Sequence, residues 1–234
     1  MTAPKEKNGK YPEQELPESD IVSEPAAVYG SIYPLNLDET KRYTYADYLT
    51  WLDDKSRELI NGFIRLMAPA ASTRHARISS ELVFKLTAFI KKRKGECLVF
   101  NAPFDVRLPN NKRETADDKI YTVVQPDICL ICDLSKLDKN GCLGAPDLVI
   151  EVQSPGTTRY DATEKYDVYE KAGVPEYWLV YPIEETIVVY ILQKNGKYDR
   201  GTVYEYEGKV PVKALEGLVI DLEELFGEFN NKPY

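Results

Sequence analysis

Apolar positions fall into helical and strand periods from about residue 44 onward, whereas residues 1–40 show neither. Thr44 predicts the N-cap of a helix over "YADYLTWLDD", with Tyr45, Tyr48, Leu49 and Leu52 on one stripe. "ELINGFIRLM" sets two apolar runs about Asn61-Gly62, the signature of a two-residue hairpin turn. Ser72 or Thr73 then caps a long helix reaching to about Lys94 and stopped by Gly95. Its buried stripe is Ile78, Leu82, Leu86, Phe89 and Ile90; His75 lies on that stripe and Glu81 at its border.

Strand patterns follow. "CLVFNAPFDVRL" predicts one strand, residues 109–119 a polar loop, and "VVQPDICLIC" and "PDLVIEVQ" two further strands, with turn material at Asp138-Lys139-Asn140-Gly141. Antiparallel pairing about that turn puts Cys132 near Asp147 and Asp127 near Val152, so the start of one strand meets the end of the other. A second helix has a capping-box-like start at Asp161 and Glu164 and ends at Gly173. "PEYWLVYP" is a strand, "TIVVYILQKNGKYDRGTVYEYEG" a polar-tipped hairpin, and "LEGLVIDLEELF" a short strand with a helical turn. The order helix, three strands, helix, strand predicts an α/β domain over 41–234, a mixed sheet flanked by helices, with the hairpin added near the C-terminus.

Charge separates the first 40 residues from the rest. They carry three lysines against eight acids, so −5 of the net −8 lies there, and with several prolines they read as a flexible acidic extension. A composition of 43% hydrophobic and 29% charged residues is that of a soluble globular chain. No apolar run approaches the ~20 residues of a membrane helix, and the start does not resemble a signal peptide, so no membrane partner and a cytoplasmic location are expected. The acidic balance disfavours tight non-specific nucleic-acid binding and leaves room for metal-bridged or locally basic contacts. "KKRK" at 91–94 is the one basic run, and helix C-termini attract such charges in any case.

Cys129 and Cys132 form a C-x-x-C inside an extended segment, where residues three apart point to opposite faces and cannot share a metal. With Cys97 and Cys142 unpatterned and His75 the single histidine, four reduced, buried cysteines are expected.

The chemistry gathers at one strand end. Asp147, Val149, Glu151 and Gln153 share a face of an apolar strand that ends at "SPG", and a carboxylate inside such a strand needs a partner. The antiparallel register brings Asp127 beside Glu151, and two close carboxylates call for a proton or a cation between them. Mg²⁺ or Mn²⁺ suits such a pair, with the Val152 carbonyl as third ligand, and such a site can hydrolyse a phosphodiester. Gln153 and Lys165, the latter early in the following helix, are candidates to orient water.

Asp127, Glu151-Val152-Gln153 and the order of elements resemble the PD-(D/E)XK nuclease superfamily. More narrowly, "VVQPDICLIC", "GAPDLVIEVQSPGT", "EKYDVYEKAGVPEYWLVYP", "ELINGFIRLMAPAASTRHARISSEL" and "LEGLVIDLEELF" are similar to the Uma2 family of restriction-endonuclease-like proteins, over roughly residues 41–228. The resemblance implies a restriction-endonuclease-like fold, DNA as substrate, a homodimer, and metal acids at Asp127 and Glu151. It further places Glu81 as the helix acid and His75 near the site. The superfamily's lysine is expected at position 153, where glutamine stands; some members draw it from the following helix, where Lys165 is found. The alternative reading is a nuclease fold without catalysis that serves as a binding or assembly module. A two-carboxylate glycosidase would need an aromatic sugar cleft, which seventeen tyrosines leave open.

Overall fold

A computed structural model describes residues 35–53, 55–67, 72–111, 113–154 and 160–227. The N-terminal extension, up to residue 34, lies outside the described residues. Residues just before Lys41 touch the domain: the Leu35 N–H reaches the Asp53 carboxylate at 3.3 Å, and Leu37 packs on a small apolar cluster around Tyr45, Leu59 and Ile120.

Among the described residues, two six-stranded sheets and a two-stranded one carry the fold. The core sheet runs β12 (Thr202–Tyr204), β11 (Thr186–Ile191), β10 (Glu176–Tyr181), β9 (Leu148–Val152), β6 (Ile128–Ile131), β3 (Leu98–Asn101). Neighbours are antiparallel except β9 and β10, which are parallel because the helix α3 (Tyr166–Ala172) carries the chain between them. The sheet is mixed, with the expected order of helix, three strands, helix and strand. One face packs on α2 (Thr73–Arg93), the other on α3 and the second sheet.

The second sheet was not anticipated. Its order is β2 (Phe63–Leu66), β1 (Arg57–Ile60), β5 (Val123–Val124), β4 (Val106–Arg107), β8 (Gly141–Leu143), β7 (Leu137–Asp138). It arises because two runs expected to be single strands each divide at a proline. "CLVFNAPFDVRL" splits at Pro103 into β3 and β4, and "VVQPDICLIC" splits at Pro126 into β5 and β6. Proline cannot donate to a ladder, so each run changes sheet there. The stretch Val123–Asp127 therefore ties one sheet to the other.

Helix α2 follows its periodicity. Ser72 caps it by accepting the His75 N–H, and Ile78, Leu82, Leu86 and Ile90 are buried; Phe89 is partly buried. Burying four such side chains contributes about 1.5–3 kcal/mol each. The helix closes on Lys94 in the left-handed region, at φ 55°, one residue before the expected Gly95. Lys91, Lys92 and Arg93 complement its C-terminal dipole.

Helix α1 (Tyr45–Tyr48) is shorter than expected. Thr44 and Asp47 form a complete capping box, but Leu49 and Leu52 are exposed, so the stripe ends at Tyr48. Asn61 and Gly62, both at positive φ, make the hairpin turn between β1 and β2 as expected. After β12 the chain forms β13 (Lys209–Pro211), β14 (Val219–Asp221) and α4 (Leu222–Gly227).

The expectation of four reduced cysteines is corrected. Pairing of Leu98 with Ile131 sets Cys97 opposite Cys132, with Cα atoms 4.0 Å apart, and the two are disulfide-bonded. A contact made by ladder register across 35 residues leaves no local spacing signal. Cys129 lies on the other face from Cys132, as the strand period requires, and stays free and buried with Cys142. Burial raises both free thiols, Cys142 to about 11, so neither is a nucleophile at neutral pH. Replacing Cys97 and Cys132 together by serine should lower the stability of the oxidised protein by about 2–4 kcal/mol. Urea unfolding with and without reductant checks this; a wild-type midpoint indifferent to reductant would contradict it. A reducing cytosol would open the bond, so its contribution follows the redox state.

Candidate active site

The β6–β9 ladder pairs Ile128 with Ile150 and Cys129 with Val149. One step further, Asp127 stands opposite Glu151, beside it as expected, in a register one residue away from the expected pairing with Val152. Because strand faces alternate, that residue decides whether the two carboxylates share a face. The Asp127 carboxylate accepts the Val152 N–H at 2.8 Å, and its own N–H points to Glu151 Oε2 at 3.4 Å. His75, in the first turn of α2, brings Nε2 to 3.1 Å from Asp127 Oδ2. Burial would lower the His75 pKa, but the hydrogen bond and charge of Asp127, the Val152 carbonyl and Asp161 outweigh it and hold the ring above its usual value. The structural role expected of His75 is thus to steady an acid of the site.

Lys165 supplies the positive charge. Its Nζ lies 3.0 Å from Glu151 Oε1, 3.0 Å from Glu58 Oε1 and 3.6 Å from Asp161 Oδ1, with the Tyr160 ring centre 5.6 Å away. Glu58, Glu151, Asp161 and Lys165 are between 2% and 4% exposed, so solvent does little to screen them. Tyr169 donates its hydroxyl to Glu151 Oε1 at 2.8 Å, and Tyr160 donates to Glu58 Oε2 at 3.1 Å. Burial lifts the Glu151 carboxyl well above the usual range; Lys165 opposes the shift, while Asp161, Asp127 and Glu58 add to it. Burial also works against the Lys165 charge, but Glu151, Glu58 and Asp161 more than compensate and keep the ammonium charged. Among the described residues, three carboxylates surround this one ammonium, and excess acid of that kind is relieved by a proton or a second cation.

Asp161 is not the helix cap expected from its spacing to Glu164. The chain enters α3 through a π-helical turn, Asp161–Lys165, and no side chain among the described residues caps it. Asp161 turns inward instead, accepting Gln153 Nε2 at 3.2 Å, while Glu164 faces out to Arg65 at 2.9 Å.

Residues 45–223 match the profile of Uma2, described as a putative restriction endonuclease. The chain belongs to the Uma2 family. Its fold is similar to that of a putative nuclease belonging to DUF820 from Anabaena variabilis ATCC 29413, known from a crystal structure. The likeness has a TM-score of 0.63 and 25% identity, covering 79% of this chain and 98% of that one. No curated protein matches the chain.

Of the residues nominated from sequence, this Uma2 domain brings Asp127, Glu151, Gln153, Lys165 and the Val152 backbone to one place. Glu81 is engaged by Lys85 at 3.5 Å, the i,i+4 pair that its spacing allowed. Asp147 accepts the Cys132 N–H at 2.7 Å and closes the far end of the ladder, matching its reading as an entry residue. Glu58 and Asp161 were missed as site acids, and Tyr160 and Tyr169 as their hydroxyl partners. Glu58 carries the same signal as Glu151, an acid in an apolar run, but nothing within its hairpin indicates the distant partner.

No three His, Cys, Asp or Glu side chains converge as a ligand set among the described residues. The donors nevertheless suit a hard divalent ion, since Mg²⁺ binds through one or two carboxylates and keeps its remaining positions for water and phosphate. The facing pair Asp127 and Glu151, in a cluster with excess acid, is that kind of donor set.

Proposed function

We propose that the protein is a Mg²⁺- or Mn²⁺-dependent endonuclease that hydrolyses DNA phosphodiester bonds. The observation that carries the reading is the Lys165 ammonium 3.0 Å from Glu151, with Asp127 opposite Glu151 on the neighbouring strand. It supplies from the helix the cation missing at Gln153. Membership of the Uma2 family supports the same reaction class.

Asp127, Glu151 and the Val152 carbonyl would hold the ion, which when bound supplies Lewis-acid charge at the scissile phosphate. The chain's own residues do the rest. His75 and the Val152 N–H fix one oxygen of Asp127; Tyr169 fixes one oxygen of Glu151. Lys165 stabilises the negative charge that builds on phosphate oxygens and orients the attacking water. Gln153 assists through its side-chain oxygen, which is buried without a hydrogen-bond partner among the described residues. Glu81, held on α2 by Lys85, has an outer place in this scheme. The dry surroundings strengthen each of these charges relative to water.

The test is incubation of single-stranded, duplex and branched DNA with the protein and Mg²⁺ or Mn²⁺. Metal-dependent nicks within a strand are expected. Gln153→Lys adds a cation from the strand, and combined with Lys165→Met it should recover part of the rate lost in Lys165→Met alone. Absence of cleavage on every substrate would favour the non-catalytic binding module.

A further inference from the structure

Glu58 belongs to neither the strand pair nor the helix that carry the rest of the site. It comes from β1 in the second sheet, is 2% exposed, and places Oε1 3.0 Å from Lys165 Nζ. Both of its oxygens are fixed. Oε1 also accepts the Gln125 N–H at 2.7 Å, and Oε2 accepts the Tyr160 hydroxyl at 3.1 Å. The arginines nearest in the ladder serve other acids: Arg57 pairs with Asp53, and Arg65, opposite Glu58, pairs with Glu164. A buried carboxylate contributes less to stability than an apolar side chain of its size would, so its presence asks for a role.

The geometry points to Glu58 as a positioning residue that holds the Lys165 ammonium in place for phosphodiester cleavage. The inference rests on the nuclease reading above and deepens it. Lys165 has a long, flexible stem; beside Glu58, its anchors are Glu151 at 3.0 Å and the more distant Asp161 at 3.6 Å. Glu151 is also the acid assigned to the ion, so its hold on the ammonium weakens when the ion binds. Glu58 has no such second duty. Its backbone and tyrosine donors keep it rigid, and Tyr160 lends both its hydroxyl to Glu58 and its ring face to the ammonium. The second sheet thus positions, through one carboxylate, the cation that the first sheet uses. Gln125, two residues before Asp127, ties this anchor to the strand that bears the other acid.

The experiment compares wild type, Glu58→Gln, Glu58→Asp, Lys165→Met and the double variant Glu58→Gln/Lys165→Met. Duplex DNA cleavage with Mn²⁺ is followed, together with reductive methylation of Lys165 in metal-free protein, read by peptide mass spectrometry. Glu58→Gln should lower kcat by about 10- to 100-fold with KM little changed, a loss of the size of one electrostatic stabiliser. In the Lys165→Met background the same change should cost nothing further, because a residue that acts through the lysine has nothing left to act on. Glu58→Asp keeps the charge at shorter reach and should recover part of the rate. Without metal, Lys165 should be methylated about tenfold faster in Glu58→Gln than in wild type, since local release precedes reaction. Equal losses with and without Lys165, or unchanged methylation of Lys165, would overturn the assignment. If wild type cleaves nothing, the nuclease reading falls, and the methylation rates still decide whether Glu58 holds the lysine. Should Glu58→Gln fail to fold, the wild-type and Glu58→Asp pair carries both measurements.

Discussion

Lys165→Met is expected to be the most damaging single change in the site, reducing metal-dependent cleavage by about 10²-fold or more. The side chain is the cation shared by Glu151, Glu58 and Asp161, and methionine keeps its length without its charge. Two separable effects follow. Cleavage falls because, in the proposed mechanism, Lys165 is the cation that faces the phosphate oxygens. Stability falls as well, by about 3–5 kcal/mol, because buried carboxylates lose their counter-charge. Cleavage should therefore be measured where circular dichroism shows the variant folded. Metal affinity should not weaken, since the lysine competes with the ion for Glu151 rather than binding it. Cleavage by the variant at the wild-type rate would reject the displaced lysine.

Glu151→Gln is expected to have the second largest effect and the opposite effect on stability. The amide keeps the shape of the carboxyl and removes one of three acids around Lys165, which retains Glu58 and Asp161. Metal-free, the variant should melt at or above the wild-type temperature. The sign follows from linkage. The Glu151 pKa is raised in the folded state, so its contribution is fully present below its unfolded value, 4.5, and is lost as pH rises through the higher folded value. Glutamine cannot ionise, so the variant should lack that loss. Adding Mg²⁺ or Mn²⁺ at neutral pH should raise the wild-type melting temperature and leave the variant unmoved, and wild-type metal affinity should increase with pH as the competing proton leaves. Equal calorimetric affinity in the two proteins would remove Glu151 from the metal site.

The core of the fold was legible because each of its elements carries a local signal. The stripe of α2, the turn at Asn61-Gly62 and the alternation through Glu151 are read within a few residues of themselves. What escaped depends on contacts between distant segments. Pro103 and Pro126 mark breaks, but nothing nearby says that the chain changes sheet at them. Cys97 and Cys132 meet through ladder register alone. The same holds within the site. Asp127, Glu151 and Lys165 were accessible from strand faces and resemblance, whereas Glu58 reaches Lys165 across more than 100 residues of chain, from a second sheet that was not expected. Asp161 was misplaced because its spacing to Glu164 imitates a cap, while the turn that follows is wider than an α-helix.

That wider turn also bears on how relatives should be aligned. A π-helical turn is in effect an α-helix with one residue inserted, and here it spans Asp161–Lys165, the two ends of an ion pair. Losing a residue between them would rotate one end away from the cluster while α3 stayed anchored by Tyr169 on Glu151. Substitution at the exposed Ala162 is harmless by comparison. The site should therefore tolerate point changes at Ala162, between the two ends of the pair, and reject single-residue deletions there. A gap-free alignment across it would pair the cluster lysine of one homologue with a residue outside the cluster in another.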